Sequence, residues 1–227
     1  GYLPDLPEFD CFMTAKEYLR LCGDVTGMLS ALIQTKSEEL LELVGLADVK
    51  KRIATFSRGM KQRLGIAQAL LNEPRLLICD EPTSALDPIG RREILDILLK
   101  VKKRTTVIFS THVLNDVEAI CDQVGILDGG KIVLTGSVSE LKNTYSRHSC
   151  TVTFRTQADA DLFRTSARIN VVGSPVSEKH ASVTIQSEDP EQTMALIIRI
   201  LSETGLVPLR VETVEPKLED IFLEVIR

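Results

Sequence analysis

The sequence predicts an α/β chain: a parallel sheet with helices, followed by a small α+β unit of ferredoxin-like order. Three observations predict it. Short apolar runs at residues 75–79 and 105–110 alternate with stretches whose apolar residues recur at helical spacing, the pattern of strand–helix units that share a parallel sheet. The last third reads strand, helix, strand, strand, helix, strand, which is the split βαβ arrangement. Finally, 227 residues with 44% hydrophobic and 26% charged side chains are ordinary globular values, ample for a core and unlike disordered, collagenous or disulfide-stapled chains.

The elements follow in order. Thr14-Ala15-Lys16-Glu17 has capping-box spacing and opens a helix through Leu21, with Gly23 placed to stop it. A second helix is expected over residues 37–44, closed by Gly45. Met60, Leu64, Ala67, Leu70 and Leu71 then recur at helical spacing behind Ser57, a good N-cap. Pro74 bounds the strand at 75–79, which is expected to be buried on both faces. Asp87-Pro88 supplies a cap and a first-turn proline to a helix carrying Ile94, Leu95, Leu98 and Val101. The basic residues Lys100, Lys102, Lys103 and Arg104 suit the negative end of that helix.

A second strand spans 105–110 and a helix 113–120, and residues 124–127 and 132–134 form a hairpin around Asp128-Gly129-Gly130. Polar residues 142–149 read as a linker. The second unit then runs strand 150–155, helix 158–166, strands 169–172 and 182–186, helix 191–203, strand 206–211 and a final helix 217–226. The expected domain division is 1–144 and 145–227.

Composition removes several function classes. The formal charge of −5, the absence of Trp and the total of ten Phe and Tyr residues argue against a nucleic-acid surface. No apolar run approaches the roughly 18 residues of a membrane span. Five widely spaced cysteines, without a C-x-x-C pair or histidines at ligand spacing, read as reduced thiols of a cytosolic protein. The chain carries no signal peptide and opens on Gly rather than Met, so a processed or missing beginning is expected.

The chemistry concentrates in three places. Asp80-Glu81 follow directly on a buried strand, where ligands bind in open α/β sheets. One carboxylate there can hold Mg²⁺ while its neighbour orients or deprotonates a water. A solvated strand end is the plainer alternative. Ser57-Arg58-Gly59 opens a helix whose amides and dipole could face a phosphate, or merely cap it. His112 stands just past the second strand, near the carboxylates if the strands are neighbours, although a lone histidine there can equally be structural.

Together, Ser57-Arg58-Gly59-Met60-Lys61-Gln62-Arg63, residues 76–82, Ser84-Ala85-Leu86-Asp87 and Ser110-Thr111-His112 resemble the ATPase subunits of ABC transporters. In that family these are the signature motif, usually with Gly where Arg58 stands, the Walker B strand, the D-loop and the H-loop. The resemblance implies a partial P-loop-type sheet with a helical subdomain, and ATP and Mg²⁺ as cofactors. It implies Asp80 as the Mg²⁺ ligand, Glu81 as general base, and His112 as the link between the γ-phosphate and Glu81. Ser57 and Gly59 would touch the nucleotide of a second ATPase subunit in a head-to-tail homodimer. Asp87 would couple the two sites, a role compatible with its reading as an N-cap.

Gly1-Tyr2-Leu3-Pro4-Asp5 looks like the family's Q-loop with Asp5 in place of Gln. The helices within residues 14–45 would face an integral membrane permease or simply pack on the sheet. The closing residues 216–223 resemble the tail of ATPases paired with ABC-2 exporter permeases, which implies a cytoplasmic subunit peripheral to the membrane, with no nucleic-acid partner. His148 and His180 stand isolated, so the tail is expected to be regulatory or dimer-stabilising.

No segment reads G-x-x-x-x-G-K-[ST], the loop that cradles the β- and γ-phosphates. The expectation is a chain lacking that part of the ATPase, inactive alone because phosphoryl transfer depends on positioning and electrostatics. The alternative is a non-catalytic interaction or regulatory fragment that complements a partner ATPase.

Overall fold

The computed structural model describes residues 1–144, 148–167, 181–187, 189–214 and 218–225. They form two compact units, Gly1–Cys121 and Asp122–Arg227, so the hairpin groups with the second unit.

The first unit opens with β1 (Tyr2–Leu3), α1 (Ala15–Val25), α2 (Ser30–Leu43) and α3 (Arg58–Leu70). It continues with β2 (Leu76–Asp80), α4 (Pro88–Val101), β3 (Thr106–Ser110) and α5 (Leu114–Ile120). The three strands form a parallel sheet in the order β1-β2-β3. The register sets Leu3 against Cys79 and Asp80 against Ser110, so all three strands end on one side. Leu77 and Cys79 point into a core with Leu3, Leu64, Ile94 and Leu98.

The opposite face corrects the expectation of a doubly buried strand. Leu76, Ile78 and Ile108 are 40%, 42% and 55% exposed, and Tyr2 is 59% exposed. These side chains form a half-exposed apolar face, although parallel strands are normally packed on both faces.

The capping box forms: Thr14 Oγ accepts from the Glu17 amide at 3.3 Å, and Glu17 Oε2 accepts from the Thr14 amide at 2.8 Å. Gly23 does not stop α1. It is buried inside the helix, where an added Cβ would lie 2.7 Å from Ile33 Cγ1 on α2. Its missing side chain therefore serves the close approach of two helices, and the turn falls to Gly27 at φ 74°. The second helix starts at Ser30 rather than 37, without a side-chain cap at Leu29. Gly45, at φ 66°, follows it as expected.

Amide donation from Thr14 is the first cause that lowers the Glu17 carboxyl below its ordinary value. A lowered folded value means stability present above the ordinary carboxylate range and lost as pH falls through the folded value. Glu17→Gln should thus destabilise the chain at neutral pH, and the gap from the parent should close on acidification, as read by denaturant melts across pH.

The second unit contains β4 (Gln123–Asp128), β5 (Lys131–Ser137), α6 (Val138–Thr144), β6 (His148–Phe154) and α7 (Gln157–Ala167). Then follow β7 (Ala181–Ser187), α8 (Pro190–Thr204), β8 (Arg210–Val214) and α9 (Leu218–Val225). β4 and β5 pair as the expected hairpin through Gly129 and Gly130, both at positive φ. β6 pairs antiparallel with β7 and with β8, giving the order β7-β6-β8. That agrees with ferredoxin-like order for the strands seen, while the expected strand at 169–172 and His180 lie outside the described residues. Phe154 and Phe163, centroids 5.3 Å apart, anchor this core.

Two boundaries move. Residues 138–144 are helical, capped by Ser137 Oγ accepting from the Glu140 amide at 3.0 Å, so the linker does not begin at 142. The last strand starts at Arg210 because Pro208, which cannot donate to a ladder, stands in the expected span. Of the linker, residues 145–147 lie outside the described residues, as do residues 217 and 226 of the expected final helix.

Candidate active site

The parallel sheet brings the two acids and the histidine together. Asp80 ends β2 opposite Ser110, whose hydroxyl donates to Asp80 Oδ1 at 2.7 Å. Glu81 leaves the strand at φ 44°, a strained value for a side chain of its size. Its amide donates to both the carbonyl and the hydroxyl of Ser110, each at 3.2 Å. That turn carries the carboxylate to His112, with Nδ1 2.9 Å from Glu81 Oε1. A carboxylate oxygen without a proton only accepts, so the bond puts the imidazole proton on Nδ1 of a largely exposed ring.

Glu81 Oε2 is buried and has no hydrogen-bond partner among the described residues. An acceptor left this way beside Asp80 suits a water or a hard cation, which oxygen ligands prefer. The described residues contain no group of three or more His, Cys, Asp or Glu side chains able to hold a metal by themselves. The donor set therefore fits Mg²⁺ shared with phosphate oxygens, the usual mode for that ion. Cys79, next in line on β2, is no nucleophile: burial pushes its thiol up to about 12.

The other predicted residues sit around this centre without joining it. Asp5 follows β1 at the same end of the sheet and is held from α3. Arg58 Nη2 donates to Asp5 Oδ1 at 3.0 Å, and Gln62 Nε2 donates to the Asp5 carbonyl at 3.3 Å. Ser57 caps α3, accepting from the Met60 amide at 3.3 Å. Gly59 lies against the loop after β2, where an added Cβ would be 3.7 Å from Leu86. No hydrogen bond or ion pair among the described residues links Ser57 or Gly59 to Glu81 or His112. Asp87 caps α4 through the Gly90 amide at 3.0 Å.

Sequence reasoning does not single out Gln62, which is buried, or Ser110 as the bridge between both acids. The signal for Ser110 is its place: a hydroxyl at the last position of the strand beside the acids.

Comparison with known proteins gives the family of the chain. The ABC transporter family profile matches residues 1–84, and that of the ATP-binding protein DrrA1-3-like C-terminal domain matches residues 136–226. The uncharacterized ABC transporter ATP-binding protein YxlF of Bacillus subtilis (strain 168) is 40% identical over the whole chain, which spans 75% of that relative. The bacitracin transport ATP-binding protein BcrA of Enterococcus faecalis is 34% identical, again over the whole chain and 71% of the relative. The linearmycin resistance ATP-binding protein LnrL of Bacillus subtilis (strain 168) is 32% identical over 93% of the chain and 69% of the relative. A solved ATP-binding subunit of an ABC transporter superposes with a TM-score of 0.54 at 32% identity, covering 63% of this chain and 61% of that one. The chain belongs to the family of ATP-binding subunits of ABC transporters.

Proposed function

We propose that the chain is the energy-coupling subunit of an ABC exporter, peripheral on the cytoplasmic face of a membrane and paired with an integral permease. The observation that carries this is the hydrogen bond between Glu81 and His112 at the strand end beside Asp80. The exporter direction draws support from relatives named for bacitracin transport and linearmycin resistance, and from the match of residues 136–226 to a DrrA-like C-terminal domain. Residues 1–144 carry the ATPase function in this reading, and 145–227 an accessory, regulatory or dimer-stabilising one.

Mg²⁺, when bound with ATP, neutralises charge on the phosphates being cleaved. Asp80 would hold the ion, with Ser110 fixing the rotamer of its carboxylate. Glu81 would accept the proton of the attacking water at its unpaired Oε2, since Oε1 is engaged by His112. His112 would orient Glu81 through Nδ1 and turn its outer edge toward the γ-phosphate. Ser57 and Gly59 would serve the nucleotide of a second copy in a head-to-tail homodimer, Asp87 would couple the two sites, and Asp5 would report to the permease.

The 227 residues contain no phosphate-cradling G-x-x-x-x-G-K-[ST] loop, so this polypeptide alone would not turn ATP over. The half-exposed apolar face of the β1-β2-β3 sheet supports the same view, because parallel strands are normally packed on both faces. The proposal is tested with a fusion that places a strand–loop–helix segment bearing that motif, from a related subunit, ahead of Gly1. Mg²⁺-dependent turnover that rises per chain with protein concentration supports a shared site, whereas turnover independent of concentration contradicts the dimer.

A further inference from the structure

Asp116 is a charged side chain that the roles above leave unused. It sits on α5 and is only 1% exposed. Its Oδ2 accepts from Thr83 Oγ1 at 2.7 Å, while Oδ1 accepts from Arg91 Nε and Nη2, both at 2.6 Å. Taking a carboxylate this far from water is costly unless its partners are well placed. Here all three hydrogen bonds go to segments that flank the candidate site.

Thr83 stands two residues after Glu81, in a loop where Glu81 and Ala85 both hold positive φ, at 44° and 51°. Two such side chains in five residues persist only where the surroundings over-determine the backbone. Within the loop, the Ser84 amide donates to the Glu81 carbonyl at 3.0 Å and the Leu86 amide to the Thr83 carbonyl at 3.4 Å. Arg91 lies on the first turn of α4, its amide donating to the carbonyl of Asp87 at 2.9 Å. Asp116 itself follows His112 by four residues, its amide donating to the Val113 carbonyl at 3.0 Å. One buried carboxylate thus joins the loop of Glu81, the helix capped by Asp87 and the helix that follows His112.

We propose that Asp116 is a positioning residue that holds Glu81 and His112 in hydrogen-bond register. This rests on the reading of Glu81 as the general base. A residue serving only bulk stability would loosen the whole unit when altered. A positioning residue loosens residues 81–87 and 111–117 and leaves α1 and α2 as they were.

Amide hydrogen exchange on the 227-residue chain separates the two. Asp116→Asn, which keeps shape but loses charge, should speed exchange of residues 81–87 by about tenfold or more, in line with the loss of one buried charge-assisted hydrogen bond. Amides of Ala15–Val25 should be unaffected. Thr83→Val removes one partner without touching the charge, should act on the same residues, and decides the matter if Asp116→Asn does not fold. The imidazole nitrogen resonances of His112, assigned with His112→Gln, should move in Asp116→Asn toward their positions in Glu81→Gln. In the fusion, kcat should fall with KM for ATP unchanged. Unchanged exchange at 81–87 in a folded variant, or loosening spread evenly over the first unit, overturns the proposal. Turnover that survives Glu81→Gln in the fusion overturns instead the reading of Glu81 as the base.

Discussion

Glu81→Gln in the fusion should lower kcat for ATP by about 10²- to 10⁴-fold, the range a positioned general base contributes, while leaving ATP binding intact. The amide keeps the volume of the carboxylate and can still accept from His112 at its oxygen. It cannot take a proton from water at the position of the buried, unpartnered Oε2. Because the loss falls on the chemical step, KM for ATP should change little. Single-turnover kinetics together with equilibrium ATP binding check this. Tight binding without turnover fits the assignment, and retained turnover removes Glu81 from it.

Ile78→Glu should have opposite consequences in two settings. In the 227-residue chain the side chain is 42% exposed, so a charge there is tolerated, within about 0.5 kcal/mol as for other surface changes. It should also reduce self-association by breaking up the apolar face formed with Tyr2, Leu76 and Ile108. In the fusion a covering helix would bury that face, and an unpaired carboxylate beneath it should cost about 3–5 kcal/mol, enough to unfold a marginal sheet and abolish turnover. Denaturant melts of the two proteins measure the difference. Equal tolerance in both would show that the added segment does not pack on this face.

Much of the site is legible in the sequence because β-strand geometry is regular. Once 75–79 and 105–110 read as neighbouring parallel strands, Asp80, Glu81 and His112 must share one end of the sheet. The bridging role of Ser110 depends on register, which no local pattern specifies. Gly23 shows a second limit: a glycine near a helix end looks like a stop, yet it can equally be the gap that admits Ile33 from another helix. The start of α2 is hidden because Leu29 offers no capping side chain and the first turns mix polar and apolar residues. The cap of α6 has S-x-x-E spacing in Ser137-Val138-Ser139-Glu140, but the polar stretch beyond it carries no helical period. Burial of the second sheet face is not a property of the strand at all, since the apolar run 75–79 reads the same whether or not anything covers it.

The most direct test of the central claim compares ATP handling by the 227-residue chain and by the fusion under the same conditions. The claim is that this polypeptide carries the water-activating half of an ATP site without its phosphate cradle. It predicts Mg²⁺-dependent binding and turnover by the fusion, lost on Glu81→Gln, and neither tight binding nor turnover by the chain alone. Micromolar ATP binding with turnover by the 227-residue chain would contradict it.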